Sequence, residues 1–149
     1  MIDLIAGTLF AALLLAPAPA PQAAAEEPVL RQALTGTWQG NGESLELVLD
    51  PNTNSIQATE QRDGKVRMQY TCRTDGKECE NREEGHKGKV SLWFTPPYLV
   101  ELRTQGDKVT RRRYLAKSDG VLEVELIPVF PVGKTESVTL SRTTKVAGR

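Results

Sequence analysis

The chain has one histidine, His86, set in "EEGHKGK", a Gly/Lys/Glu-rich stretch with the composition of a solvated surface loop. Ser-His-Asp and Cys-His schemes would both depend on that single residue, so the sequence offers no catalytic group and no enzyme is expected. Cysteine is almost as scarce: Cys72 and Cys79 flank "RTDGKE", with no C-x-x-C pair and no further Cys or His companions. That removes the usual redox and zinc patterns. Glu83, Glu84 and His86 lack diagnostic metal-ligand spacing, so neither a metal nor a cofactor is expected. An excess of charge is missing too, with 19 Lys+Arg against 19 Asp+Glu. Such balance argues against a nucleic-acid partner or an anionic membrane surface. Finally, the apolar run from Leu4 to Leu15 falls short of the ~20 residues that span a bilayer.

What the short apolar run does suit is export. It is followed by small residues ending in Ala23-Ala24-Ala25, which predicts a signal peptide over 1–25 with cleavage before Glu26, although the segment ahead of the run holds Asp3 and no Lys or Arg. No cysteine follows the run, so a lipid anchor is not expected. A periplasmic or secreted chain of about 124 residues would remain, enough for one core. All the basic residues lie after Ala25 and only Asp3 among the acids lies before it, leaving a mature charge of about +1. In an oxidising compartment Cys72 and Cys79 are expected to form a disulfide. Closing so short a loop contributes about 2 kcal/mol.

A long amphipathic helix is also lacking. After a lead-in, residues 26–34, the chain shows nine or ten short strand patterns over 35–143, then a tail, 144–149. Alternation is plainest in Ser44 to Asp50, where Leu45, Leu47 and Leu49 share one face. A strand is expected at about 77–80, followed by a polar loop, "NREEGHKGK". Asp63-Gly64, Asp75-Gly76 and Asp119-Gly120 mark hairpins, and Gln105-Gly106 fills a similar place. Consecutive hairpins make an up-and-down antiparallel meander. So many strands leave two exposed edges unless the sheet closes, which predicts an all-β barrel.

Three arginines in a row, Arg111, Arg112 and Arg113, fall within one such strand, so they cannot all share a face. A three-residue loop at Ser118-Asp119-Gly120 pairs Lys117 with Val121 and segregates the faces best. It sends Arg112 and Tyr114 inward with Leu122, Val124 and Leu126, and sets Arg113 opposite Glu125 outside. The same three-residue rule at "QRDGKV" aligns Ile56 with Tyr70 and Ala58 with Met68. At "CRTDGKEC" it would set the cysteines off register, since a direct pair needs an even loop, of two or four residues. An inward arginine needs a partner. With an even loop at Gln105-Gly106, Glu101 shares the inner face with Arg112; with an odd one, Tyr98, Val100 and Leu102 do, and Arg112 lacks that carboxylate.

Gly36-Thr37-Trp38 on the first strand, with Arg142 in "TLSRTT" on the last, resembles the lipocalin signature of the calycin superfamily. The resemblance implies that Trp38 closes one barrel end, that Arg142 packs over its ring, and that Gly36, Trp38 and Arg142 are structural residues. The T-D-Y motif and the long first loop of lipocalins are absent. The whole region looks most like uncharacterised exported bacterial proteins described as lipocalin-like. Arg112-Arg113-Tyr114 also resembles the R-x-Y pair that holds a carboxylate in fatty-acid-binding proteins, although it lies two strands before the C-terminus and their helical lid is missing. The expectation is a small exported barrel holding one apolar or anionic molecule, with Arg112 and Tyr114 at its head and Tyr98, Leu122, Val124 and Leu126 along its wall. The rival is a structural or protein-interaction module with a filled core. An open interior reaching Arg112 separates the first from the second.

Overall fold

The computed structural model describes residues 22–118 and 120–143, with side chains from Glu27 onward. Residues 1–21, most of the expected signal peptide, and the 144–149 tail lie outside the described residues. A helix, α1 (Gln22–Leu34), takes in the expected lead-in. Ten strands follow: β1 (Gly36–Gly40), β2 (Glu43–Asp50), β3 (Ser55–Arg62), β4 (Lys65–Arg73) and β5 (Cys79–Glu83). The second half is β6 (His86–Thr95), β7 (Tyr98–Gln105), β8 (Lys108–Lys117), β9 (Val121–Phe130) and β10 (Glu136–Arg142). Each pairs antiparallel with its chain neighbour and β1 pairs with β10, so the meander closes into a barrel with no free edge.

Closure works because one face of nearly every strand is apolar. Leu45 and Leu47, Ile56 and Ala58, Met68, Tyr70 and Cys72, Val90 and Leu92, and Leu122 and Val124 all point into one core. At one end α1 covers that core. Leu34 is buried, and its carbonyl accepts a hydrogen bond from Trp38 Nε1 at 3.0 Å. The Arg142 guanidinium lies 4.4 Å from the Trp38 ring centroid and donates to the Thr35 and Ala33 carbonyls, both at 2.6 Å. A cation therefore serves the ring and the helix C-terminus together. Gly36 has φ +140°, and a Cβ there would come within 2.7 Å of Arg142 Nη1. That accounts for the glycine of the G-x-W triplet.

The β8–β9 hairpin has the expected register: Lys117 faces Val121, Tyr114 faces Val124 and Arg112 faces Leu126. Two other hairpins differ from expectation. The β3–β4 turn holds two residues, Asp63-Gly64, and a bulge between Glu60 and Gln61 then aligns Ile56 with Cys72 and Ala58 with Tyr70. The shift is two residues, so the inward set is unchanged. "NREEGHKGK" is a hairpin and not a loop: Glu84 and Gly85, both at positive φ, turn β5 directly into β6. Its inward residues are Asn81 and Gly88, so it carries no apolar alternation to read. Cys72 and Cys79 form the disulfide, with Cα atoms 5.6 Å apart across an even loop of six residues.

Candidate ligand-binding cavity

Away from α1 the barrel interior turns polar. The β7–β8 loop is the even one: Gln105 pairs with Lys108 and Glu101 with Arg112. Leu99, Glu101 and Arg103 therefore face inward. Tyr98, expected along the cavity wall, lies on the other face, where its ring sits under the Arg113 guanidinium at 4.6 Å. Arg113 also bonds Glu125 at 2.8 and 2.9 Å on that outer face.

Arg112 and Tyr114 come from β8, Glu101 and Arg103 from β7, Glu60 from β3 and Tyr70 from β4. Glu101 is fully buried and Arg103 is 4% exposed. Glu101 accepts hydrogen bonds from the Tyr70 and Tyr114 hydroxyls, the second at 3.1 Å. Arg103 Nε lies 2.5 Å from Glu101 Oε1, an ion pair without hydrogen-bond alignment. Arg103 Nη2 also donates to Glu60 Oε1 at 2.6 Å. Arg112 reaches the same Glu60 oxygen with Nη1 at 2.5 Å, while its Nε stands 3.8 Å from Glu101 and has no hydrogen-bond partner. Glu101 is thus mainly the partner of Arg103 and the tyrosines. The carboxylate that holds Arg112 is Glu60.

These contacts set the protonation states. Burial alone would raise the Glu60 carboxyl, but the charges of Arg103 and Arg112 and their hydrogen bonds hold it below its ordinary 4.5. Burial, and for Arg112 the nearby Arg103 charge, disfavours the guanidinium cations, yet Glu60, Glu101 and Tyr114 outweigh this and both stay above the ordinary value. Burial and the Glu101 charge push both tyrosine hydroxyls above their usual 10.0. At neutral pH Arg103 and Arg112 are therefore cations, Glu60 an anion and both phenols neutral.

Above the cluster an open cavity of about 310 Å³ runs to the barrel end opposite α1. Arg112, Glu60 and Tyr114 line its inner part; Leu45, Val124, Leu126, Val138 and Leu140 form an apolar wall. Its rim carries the Arg62–Glu43 ion pair and the Arg67–Glu84 pair at 2.5 Å. Of the six residues expected at a ligand, the cavity thus brings together Arg112, Tyr114, Val124 and Leu126. Leu122 is fully buried in the core near α1 and does not line it. Glu60, Arg103 and Tyr70 were not anticipated. Glu60 could have been found by continuing the alternation of Ile56 and Ala58 one step further along β3.

A second recess, about 270 Å³, lies beside the first, with Arg112 in both walls; it places exposed His86 near Glu83 and Glu84. Neither carboxylate forms a salt bridge with His86, and the described residues include no cluster of three or more metal-ligating side chains.

No family model matches the chain, and no curated protein does. Among solved structures, the chain is similar to fatty-acid-binding protein 1 of Echinococcus granulosus, with a TM-score of 0.62 at 11% identity, covering 76% of this chain and 99% of that one. The two chains share a fold, the closed antiparallel barrel. At such identity the likeness carries to the architecture of ten strands around an interior and to no particular residue. Among the described residues, no helix is long and apolar enough to cross a membrane.

Proposed function

We propose that this calycin-type barrel is an exported binding protein that holds one small apolar molecule in the cavity between β2 and β8–β10. The observation that carries the reading is the open cavity itself, apolar along one wall and reaching Arg112 and Glu60 at its inner end. Its volume lies at the lower end of the range for small-molecule sites, and its mix of apolar wall and a few convergent polar groups is typical of them. The ten-stranded neighbour, itself a fatty-acid-binding protein, supports a ligand in the interior. A module working only through its surface has no use for an open interior beside an elaborate polar cluster. We read the role as binding and not catalysis, because the cluster's charged groups are committed to one another. Export rests on the apolar leader over 1–25 and on the Cys72–Cys79 disulfide, which suits an oxidising compartment.

Fluorescence titration with N-phenyl-1-naphthylamine, an uncharged apolar probe, tests the binding. The expected result is saturable uptake by wild type and at least tenfold weaker uptake by Leu126→Trp, whose indole fills the cavity. Equal uptake by both proteins, or none by wild type, contradicts the reading.

A further inference from the structure

The cavity's inner end carries an electrical constraint on what can enter. Two guanidiniums, Arg103 and Arg112, face two carboxylates, Glu60 and Glu101, at contacts of 2.5 to 2.6 Å. Each positive charge is matched inside the protein. Arg112, the cation nearest the open space with 21% of its side chain exposed, is already paired with Glu60, which is 21% exposed at the same boundary. A ligand carboxylate approaching Arg112 would meet Glu60 bonded to the same guanidinium, and would leave the buried cluster with one net negative charge. Like charges at such separation, shielded from water, strongly disfavour joint ionisation. The rim adds to this, since Glu43, Glu83 and Glu84 outnumber Arg62 and Arg67.

The same boundary offers complementary hydrogen bonding. Arg112 and Glu60, each with 21% of its side chain exposed, both line the cavity's inner part. Glu60 Oε2 receives a single long bond, 3.3 Å, from Arg103 Nη1. A guanidinium, which donates, and a carboxylate, which accepts, therefore border the same space beside an apolar wall. A group that both donates and accepts, and that carries no charge, satisfies both at once.

Resting on the cavity reading above, we infer that the ligand is an alkyl or similarly apolar molecule with an uncharged hydroxyl or primary-amide head, and not a free carboxylate. The head accepts from Arg112 and donates to Glu60, while the chain lies along Leu45, Val124, Leu126 and Val138. The barrel thus binds by balance where an unpaired arginine would bind an anion.

Competition for the naphthylamine probe at pH 8 by lauryl alcohol, lauramide and laurate, which share one alkyl chain, tests this. The wild type should bind the alcohol or the amide at least tenfold more tightly than laurate. Glu60→Gln, which leaves Arg112 unmatched, should gain at least tenfold in laurate affinity. Laurate binding the wild type as tightly as the alcohol and the amide overturns the inference while leaving the cavity reading intact. Failure of all three to displace a bound probe overturns the inference, and failure of the probe itself to bind overturns both readings. The wild-type ranking decides the matter even if the variant does not fold.

Discussion

At the scale of single residues, the arginines of this protein do four different jobs. Arg103 is buried between two carboxylates; Arg113 is half-exposed on the outer face; Arg142 caps a helix and covers Trp38; Arg112 borders the cavity. Removing Arg103 as Arg103→Met leaves Glu60 and Glu101 facing each other in the interior, and should cost about 3–5 kcal/mol in urea unfolding. Arg113→Ala removes only a surface pair and should cost far less in the same assay. Equal costs would contradict the division. Glu60 predicts a pH effect whose sign is fixed. Its folded pKa lies below the ordinary 4.5, so the unfolded chain takes up more protons in that range. The contribution of Glu60 is present above about pH 4.5 and is lost as pH falls through the lower, folded value. Wild type should therefore lose stability below pH 4.5 more steeply than Glu60→Gln does. Parallel acid-unfolding curves for the two proteins would rule this out. Tyr70 and Tyr114 add the opposite limit, because their raised pKa values favour the folded state until the unfolded phenols ionise near 10.0.

At the scale of elements, what could be read in advance depended on whether the inward face of a strand is apolar. The β8–β9 hairpin was legible because Tyr114, Val124 and Leu122 alternate against charged neighbours, and one slip would have mixed the faces. The β5–β6 hairpin was not, because Asn81 and Gly88 fill its inward positions. The β3–β4 pair kept its faces while a bulge moved its register by two, a detail that a period-two pattern cannot register. The placement of Glu101 depended on the parity of the loop after Gln105. Composition left that parity open, and it settled both the inward Glu101 and the outward Tyr98. Of the interior polar groups only Arg112, Tyr114 and Glu101 were visible beforehand, since Glu60 and Arg103 are charged residues at inward positions, where polarity alone argues for the outer face. The disulfide predicts a stability effect at this scale. Replacing Cys72 and Cys79 by serine opens the β4–β5 clasp and should cost about 2 kcal/mol in denaturant, as loop-closure entropy returns to the unfolded chain. A loss under a few tenths of a kcal/mol would mean that the β5–β6 pairing already orders this corner.

At the scale of the whole molecule, the barrel is divided along its axis. Toward α1 the interior is filled by buried side chains such as Trp38, Leu47 and Ile56, and the helix and Arg142 cover Trp38. The other end opens past a rim of ion pairs into the space above the Glu60–Arg112 boundary. The cluster between the halves ties together four strands, β3, β4, β7 and β8, while keeping its charges matched. That division is what the fold needs if its purpose is to hold a molecule inside. Methyl-resolved NMR titration with lauryl alcohol measures it most directly. The predicted result is saturable shifts at one ligand per chain, concentrated on the methyls of Leu45, Val124, Leu126 and Val138, with the Leu47 and Ile56 methyls nearly still. Shifts confined to exposed positions such as Val129 and Val132, or no saturable shifts at all, would contradict an interior binding site.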